Sequence, residues 1–320
     1  MEEKKISGAE ALNQALDEEM SRDENIVIFG EDVGRFGGKN KVTKNLWLKY
    51  GPRRVVDTPL NEELFASIAI GAAQCGLRPV IEFAHGPFLT IDLNNIRRAG
   101  IWDWISAYQL RIPIVMLTNW RSAELGHELS SAVLSNILNL LGITIVIPST
   151  PTQAKGLLKT ALRENSPVIF LEHRLLYTKK ETVPSGDYTY PFGNAEFRRH
   201  GRDLSIITYS ALVDLVERSL AGFPYDIEIL DLVSIKPLDY KKIVETARRT
   251  GKVLIVDGEP DEYNPLSAAI KSIIYKECPG INIYWLGAPK IPLPTGPLEG
   301  EIYIKHSDVI ACVNGILHFP

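Results

Sequence analysis

The sequence predicts an α/β protein made of two units, each a largely parallel sheet wrapped by helices. Short apolar runs rich in Val and Ile alternate with helical stretches along most of the chain, the signature of βαβ construction. That alternation lapses once, between Lys179 and Arg199, where Pro184, Ser185, Gly186, Asp187, Pro191 and Gly193 cluster. At 320 residues there is chain enough for two cores. The expected division is 1–185, a linker over 186–200, and 201–320.

In chain order, Ser7 caps a helix through about Ser21, with Ala11, Leu12, Ala15, Leu16 and Met20 on one face. Asn25 to Gly30 reads as a buried strand ending at Glu31-Asp32, and Arg35 to Lys44 as a loop. Acidic residues at a strand's C-terminal end are where α/β sheets place ligand chemistry, and also where solvated loops begin. Asp57-Thr58-Pro59-Leu60-Asn61-Glu62 is the end of an extended segment, a Pro turn and an acidic helix start, followed by an apolar helix to Ala73. On its own, Glu62 is a first-turn carboxylate of the kind the helix dipole favours.

Strands follow at Pro79–Ala84 and Ile112–Leu117, around a helical stretch from Phe88 to Tyr108. Asn119 to Glu128 is polar and irregular, Val133 to Leu141 a short helix, and Ile143–Ile147 a strand. Thr150-Pro151 starts a helix to about Glu164, with a hydroxyl cap and proline at the first helical position. Pro167–Glu172 closes the first unit. In the second, strands at 204–208, 227–232, 253–256 and 281–284 alternate with helices at 211–221, 240–249 and 266–276, before a last helix over 308–317.

Composition narrows the function by exclusion. A net charge of −4 with no Lys/Arg run leaves no footprint for nucleic acid. Cys75, Cys278 and Cys312 lie far apart, as expected for inert thiols in a reducing compartment such as the cytoplasm. The charged start carries no secretory pattern, and the apolar stretch Val133 to Ile147 is too short to span a bilayer. The six histidines are not paired at zinc spacing, and neither a nucleotide-phosphate loop nor a Gly-x-Ser-x-Gly elbow occurs.

Ordered motifs then point to a family. Gly30-Glu31-Asp32-Val33-Gly34, Arg54-Val55-Val56-Asp57-Thr58-Pro59-Leu60, Gly76-Leu77-Arg78-Pro79-Val80, Pro148-Ser149-Thr150-Pro151 and Pro167-Val168-Ile169-Phe170-Leu171-Glu172 follow one another along nearly the whole chain. In these the sequence resembles the β subunit of the thiamine-diphosphate-dependent first component of 2-oxo acid dehydrogenase complexes. The resemblance implies a pyrimidine-binding-type α/β domain followed by a transketolase C-terminal-like α/β domain. It implies oxidative decarboxylation of a 2-oxo acid, with acyl transfer to a lipoyl group. It puts the cofactor-activating acid on Glu62 and the aromatic that stacks on the pyrimidine on Phe88.

The family's diphosphate and Mg2+ motif is absent here, so the resemblance implies an α subunit that holds both. An α2β2 assembly with a second β subunit, and a lipoyl acyltransferase core, are the further implied partners. The match departs from the family at two places. The His loop reads Asn119 to Ser131, where His127 takes the first His role only by a shift of register. His85-Gly86-Pro87 precedes Phe88, where His85 could supply an imidazole from the other wall. The alternatives are one half of a split transketolase-like or acyloin-forming carboligase, and a catalytically degenerate structural subunit.

Overall fold

The computed structural model describes residues 5–121, 125–131, 133–260 and 264–318. A seven-stranded sheet organises the first unit. Its strands are β2 (Ile26–Gly30), β3 (Val55–Asp57), β4 (Arg78–Glu82), β5 (Val115–Arg121), β6 (Thr144–Val146) and β7 (Val168–His173), joined by β12 (Ser234–Lys236) from the second unit. The order is β12-β6-β7-β5-β4-β2-β3, parallel throughout except for β12, which pairs antiparallel with β6. The second sheet contains β9 (Glu196–Arg199), β10 (Leu204–Thr208), β11 (Ile227–Asp231), β13 (Lys252–Val256) and β14 (Asn282–Leu286), in the order β14-β13-β10-β11-β9. Here β9 alone runs antiparallel. It starts inside the stretch read as linker, and β1 (Lys5–Ser7) pairs with β8 (Lys180–Thr182) just before that stretch.

The long helices sit close to where the sequence puts them. They are α1 (Gly8–Arg22), α3 (Glu62–Gln74), α4 (Leu93–Ile105), α7 (Pro151–Arg163), α9 (Ala211–Ser219), α10 (Tyr240–Thr250), α11 (Pro265–Glu277) and α12 (His306–His318). Local chemistry sets their starts. Ser7 and Glu10 form a reciprocal capping box on α1, and Thr150 caps α7 ahead of Pro151. Short helical turns α2 (Leu46–Tyr50), α5 (His127–Ser130), α6 (Leu134–Ile137) and α8 (Arg174–Thr178) fill the connections.

Three differences from the sequence reading have physical causes. The helical stretch from Phe88 splits into a 3-10 turn, Gly86–Thr90, and α4, which ends at Ile105 because Ala107 and Tyr108 turn left-handed. The helix expected over Val133 to Leu141 is a single turn, α6. Strand β5 runs on through Asn119 and Trp120 to Arg121, letters that read as loop. Trp120 is buried edge-on to Tyr209 of the second unit, with ring centroids 5.2 Å apart, and that packing holds the extension. One buried apolar cluster is therefore continuous across both units, from Phe65, Ile81 and Met116 through Trp120 to Ile207, Leu230 and Ile255.

On the far side of the first sheet, α1 packs on α7 around a buried cation. Lys159 is 2% exposed and lies 2.7 Å from Glu18 and 2.6 Å from Asp187, while Arg163 takes Glu19 in a paired contact. Truncating one member of such a set leaves its partners uncompensated. Lys159→Ala is expected to lower the unfolding free energy by about 2–4 kcal/mol, read by urea denaturation at neutral pH.

Candidate active site

The parallel strands of the first sheet end at one edge, and the register there sets the site. Gly30 lies opposite both Asp57 and Glu82, Glu82 opposite Leu117, and Asn119 opposite Glu172. Carboxylates therefore accumulate along one rim, as the strand-end rule for parallel sheets leads one to expect.

Glu62 is the first residue of α3. Asn61 caps the helix by accepting from the Leu64 N–H at 3.0 Å, which leaves Glu62 at the positive end with its side chain 7% exposed. Glu31, directly after β2, faces it. Burial raises the Glu31 carboxyl above its usual range, and the charges of Glu62 and then Asp32 raise it further. Among the described residues, its Oε1 is buried with no hydrogen-bond partner, as is the Thr58 hydroxyl. The turn between them is held by Asp57, which accepts from the Gly34 N–H at 2.6 Å, and by the Thr58 N–H, which donates to the Gly30 carbonyl at 3.0 Å.

Phe88 lies in the 3-10 turn, half-buried on the core, with the His85 ring edge-on at 5.3 Å. The start of α4 is tied to α3 by Asn95, which donates to Ser67 at 2.9 Å and to Asp92 at 2.6 Å. His85 contacts two loops. Lys39 Nζ stands 2.9 Å from its Nε2, and its ring also bonds the Leu129 carbonyl. Burial and the Lys39 charge lower its pKa, favouring a neutral imidazole.

His127 lies elsewhere. It is exposed at the start of α5, its Nδ1 accepts from the Leu293 N–H at 3.4 Å, and it lines a cavity of about 250 Å³ with Arg121, Ser135 and Glu259. Glu62 and Glu31 thus form one group and Phe88 and His85 a second. His127 belongs to the junction of the two units, connected to His85 through Leu129 of the same short turn.

Sequence reasoning missed the acids beneath. Glu82 and Glu172 are 8% and 3% exposed. Burial pushes Glu82 up to about 7 against the opposing bond from the Lys39 backbone N–H. Burial pushes Glu172 up to about 8, opposed by its bond from the Tyr177 hydroxyl and reinforced by the Glu82 charge. One oxygen of each, Glu82 Oε2 and Glu172 Oε1, has no partner among the described residues. The loop over them needs Gly38, because a Cβ there would lie 2.7 Å from Glu82 Oε2, and its φ is +73°. The strand-end rule that drew attention to Glu31 could have found both acids, since each sits at the C-terminal end of an apolar run.

The comparisons with known proteins follow this architecture. A family model described as transketolase, pyrimidine binding domain, matches residues 4–180, and one described as transketolase, C-terminal domain, matches residues 193–309. A solved structure, the split gene transketolase as an inactive β4 tetramer, superposes with a TM-score of 0.80 over 98% of each chain. At 19% identity, that likeness shows the fold alone. The class is therefore a transketolase-type pyrimidine-binding domain joined to its C-terminal domain.

Curated relatives fix the family within that class. The pyruvate dehydrogenase E1 component subunit beta of Mesostigma viride is 39% identical, covering 96% of this chain and 97% of its own. That of Gracilaria tenuistipitata var. liui is 40% identical, covering 96% and 98%. The chain belongs to this family, the β subunits of the thiamine-diphosphate-dependent first component of 2-oxo acid dehydrogenase complexes.

The buried acids make stability depend on pH. In the folded chain Glu82 and Glu172 hold their protons to about 7 and 8, whereas in the unfolded chain both release them near 4.5. Between those limits the native state binds more protons, so this pair's contribution falls as pH rises. In Glu172→Gln, which still accepts from Tyr177, the decline should flatten. The variant should gain roughly 1–3 kcal/mol on the native chain between about pH 5 and pH 8 in denaturant melts. Parallel pH profiles for the two proteins would remove the assignment.

Proposed function

We propose that the chain supplies the pyrimidine side of a thiamine diphosphate site completed by an α subunit, for oxidative decarboxylation of a 2-oxo acid with acyl transfer to a lipoyl group. The observation that carries this is the facing pair Glu31 and Glu62, with Glu31 Oε1 and the Thr58 hydroxyl buried and unpartnered beside them. Unfilled acceptors at the strand ends beside the Glu62 helix start fit a group that presents ring and amino N–H donors, and Phe88 offers the flat face such a ring needs. When bound, thiamine diphosphate supplies a carbon nucleophile toward the 2-oxo carbonyl. Glu62 would hold a proton at the aminopyrimidine ring nitrogen, Glu31 would keep a second acidic group near it, and Phe88 would orient the ring.

The α partner would cover an exposed apolar stripe. Leu60, Leu64 and Ile68 are 77%, 45% and 48% exposed, and they lie four residues apart across the helix start that carries Glu62. The diphosphate and Mg2+ would be held by that partner, in an α2β2 assembly with a second β subunit. His85 would face substrate from the Phe88 wall, and His127 would serve the acceptor. A lipoyl acyltransferase core is the acceptor's source in this reading. The three free cysteines support a reducing compartment, the cytoplasm.

The test mixes the chain with its α partner, thiamine diphosphate and Mg2+, and follows artificial-acceptor reduction by pyruvate. Glu62→Gln should lower kcat by about 100-fold or more with the complex still assembled. Turnover within a few-fold of the native value would end the assignment and favour the degenerate subunit. Ketol formation without an electron acceptor would favour the split carboligase.

A further inference from the structure

A second cavity, of about 170 Å³, lies where the ends of β5 and β7 meet the second unit, and it is lined by Trp120, Arg121, His173 and Arg174 on one side. Leu212, Leu215 and Ile304 form much of its apolar wall. Its polar lining is rich in donors. Among the described residues, the Trp120 indole N–H and the Arg121 Nε–H are buried with no acceptor, in residues only 1% and 8% exposed. His173 accepts from the Leu175 N–H through Nδ1 at 3.2 Å, which places its proton on Nε2 as another donor. Burial and the Arg121 and Arg174 charges push this imidazole down to about 3, so it is neutral.

Most acceptors in the neighbourhood are already engaged. Arg121 Nη2 donates to the Gly258 carbonyl at 2.6 Å, which leaves Nε unused. The guanidinium lies 5.3 Å from the Trp120 ring centroid and 4.8 Å from that of Tyr303. Asp257 and Glu259 face it from behind; Asp257 Oδ1 accepts from Tyr209 and Glu259 from Ser135, while Asp257 Oδ2 has no partner among the described residues and does not line the cavity. Among the described residues, no carboxylate lines this cavity.

Buried donors without acceptors are costly, and a ligand oxyanion at this point would satisfy them. The apolar wall asks for a hydrocarbon body beyond the anion. Size limits that body, because a cavity of about 150 Å³ accepts benzene, whereas nucleotides and other large ligands need several hundred. We propose that this interdomain cavity binds a small monocarboxylate, its carboxylate on Arg121, Trp120 and His173 and its apolar body against Leu212, Leu215 and Ile304. None of its residues belongs to the Glu62 group, and Arg121 alone also lines the His127 cavity. Its walls come from both units, so an occupant ties them together and raises the melting temperature by mass action.

Benzoate is the probe, titrated by calorimetry into the full-length chain, with benzyl alcohol and inorganic phosphate as controls. Saturable 1:1 binding of benzoate is expected with Kd on the order of 0.1–1 mM, together with a rise in Tm. Benzyl alcohol and phosphate should each bind at least about tenfold more weakly, the first lacking charge and the second an apolar body. Arg121→Gln should weaken benzoate by about tenfold or more. Leu212→Trp, which fills the apolar end without touching a donor, should do the same, and it remains informative if Arg121→Gln fails to fold. The proposal is overturned by an absence of saturable binding up to about 10 mM, by phosphate binding as tightly as benzoate, or by undiminished affinity in folded Leu212→Trp.

Discussion

The common end-point of the parallel strands β2, β4, β5 and β7 is the constraint on which the rest of the site depends. It sets Gly30 level with Glu82, and Asn119 level with Glu172. Acids placed there are removed from water by the loops that close the rim, and a buried carboxylate must be protonated or bonded. The surrounding structure answers that demand. The Lys39 N–H reaches Glu82, Tyr177 donates to Glu172, and the Asn40 side chain reaches the Tyr177 hydroxyl. A loop with little apolar content is held in place by the groups it covers.

The same loop connects the buried acids to the exposed rim. Lys39 contributes its backbone to Glu82 and its side chain to His85, and His85 lies edge-on to Phe88. Above them, the start of α3 presents Glu62 toward Glu31 and sends Leu60, Leu64 and Ile68 into solvent. In the function proposed above, this arrangement is half a site. It has a polar floor with unfilled acceptors, one aromatic wall, and an apolar margin of the kind a partner subunit covers.

Strand β5 joins this rim to the second unit. Asn119 works toward the first, accepting from the Gly86 N–H at 3.3 Å and donating to the Ala84 carbonyl at 3.1 Å. The next two residues work toward the second, Trp120 against Tyr209 and Arg121 onto the Gly258 carbonyl. Three consecutive side chains thus position the aromatic turn, the interdomain core and a donor-lined cavity. The stretch expected as the His loop, Asn119 to Ser131, opens as strand in these three residues, and His127 lies at the junction of the units, away from the Glu62 group.

By itself the sequence determined the two-unit α/β character, the long helices and the helix start that carries Glu62. These follow from periodicity, caps and Pro placement, which act over a few residues and are legible in the letters. The order of the family motifs was legible too, and it led to the family. Tertiary structure alone decided the polar extension of β5, the pairing of β12 with the first sheet, and the burial of Glu82 and Glu172. It also decided that Trp120, Arg121 and His173 share one cavity. Each of these rests on contacts between segments far apart in the chain, where the free energy of a polar group depends on which neighbours remove it from water. Glu62 shows both halves of the point. Its helix-start position was written locally, while the acid facing it across the strand ends was set by the sheet.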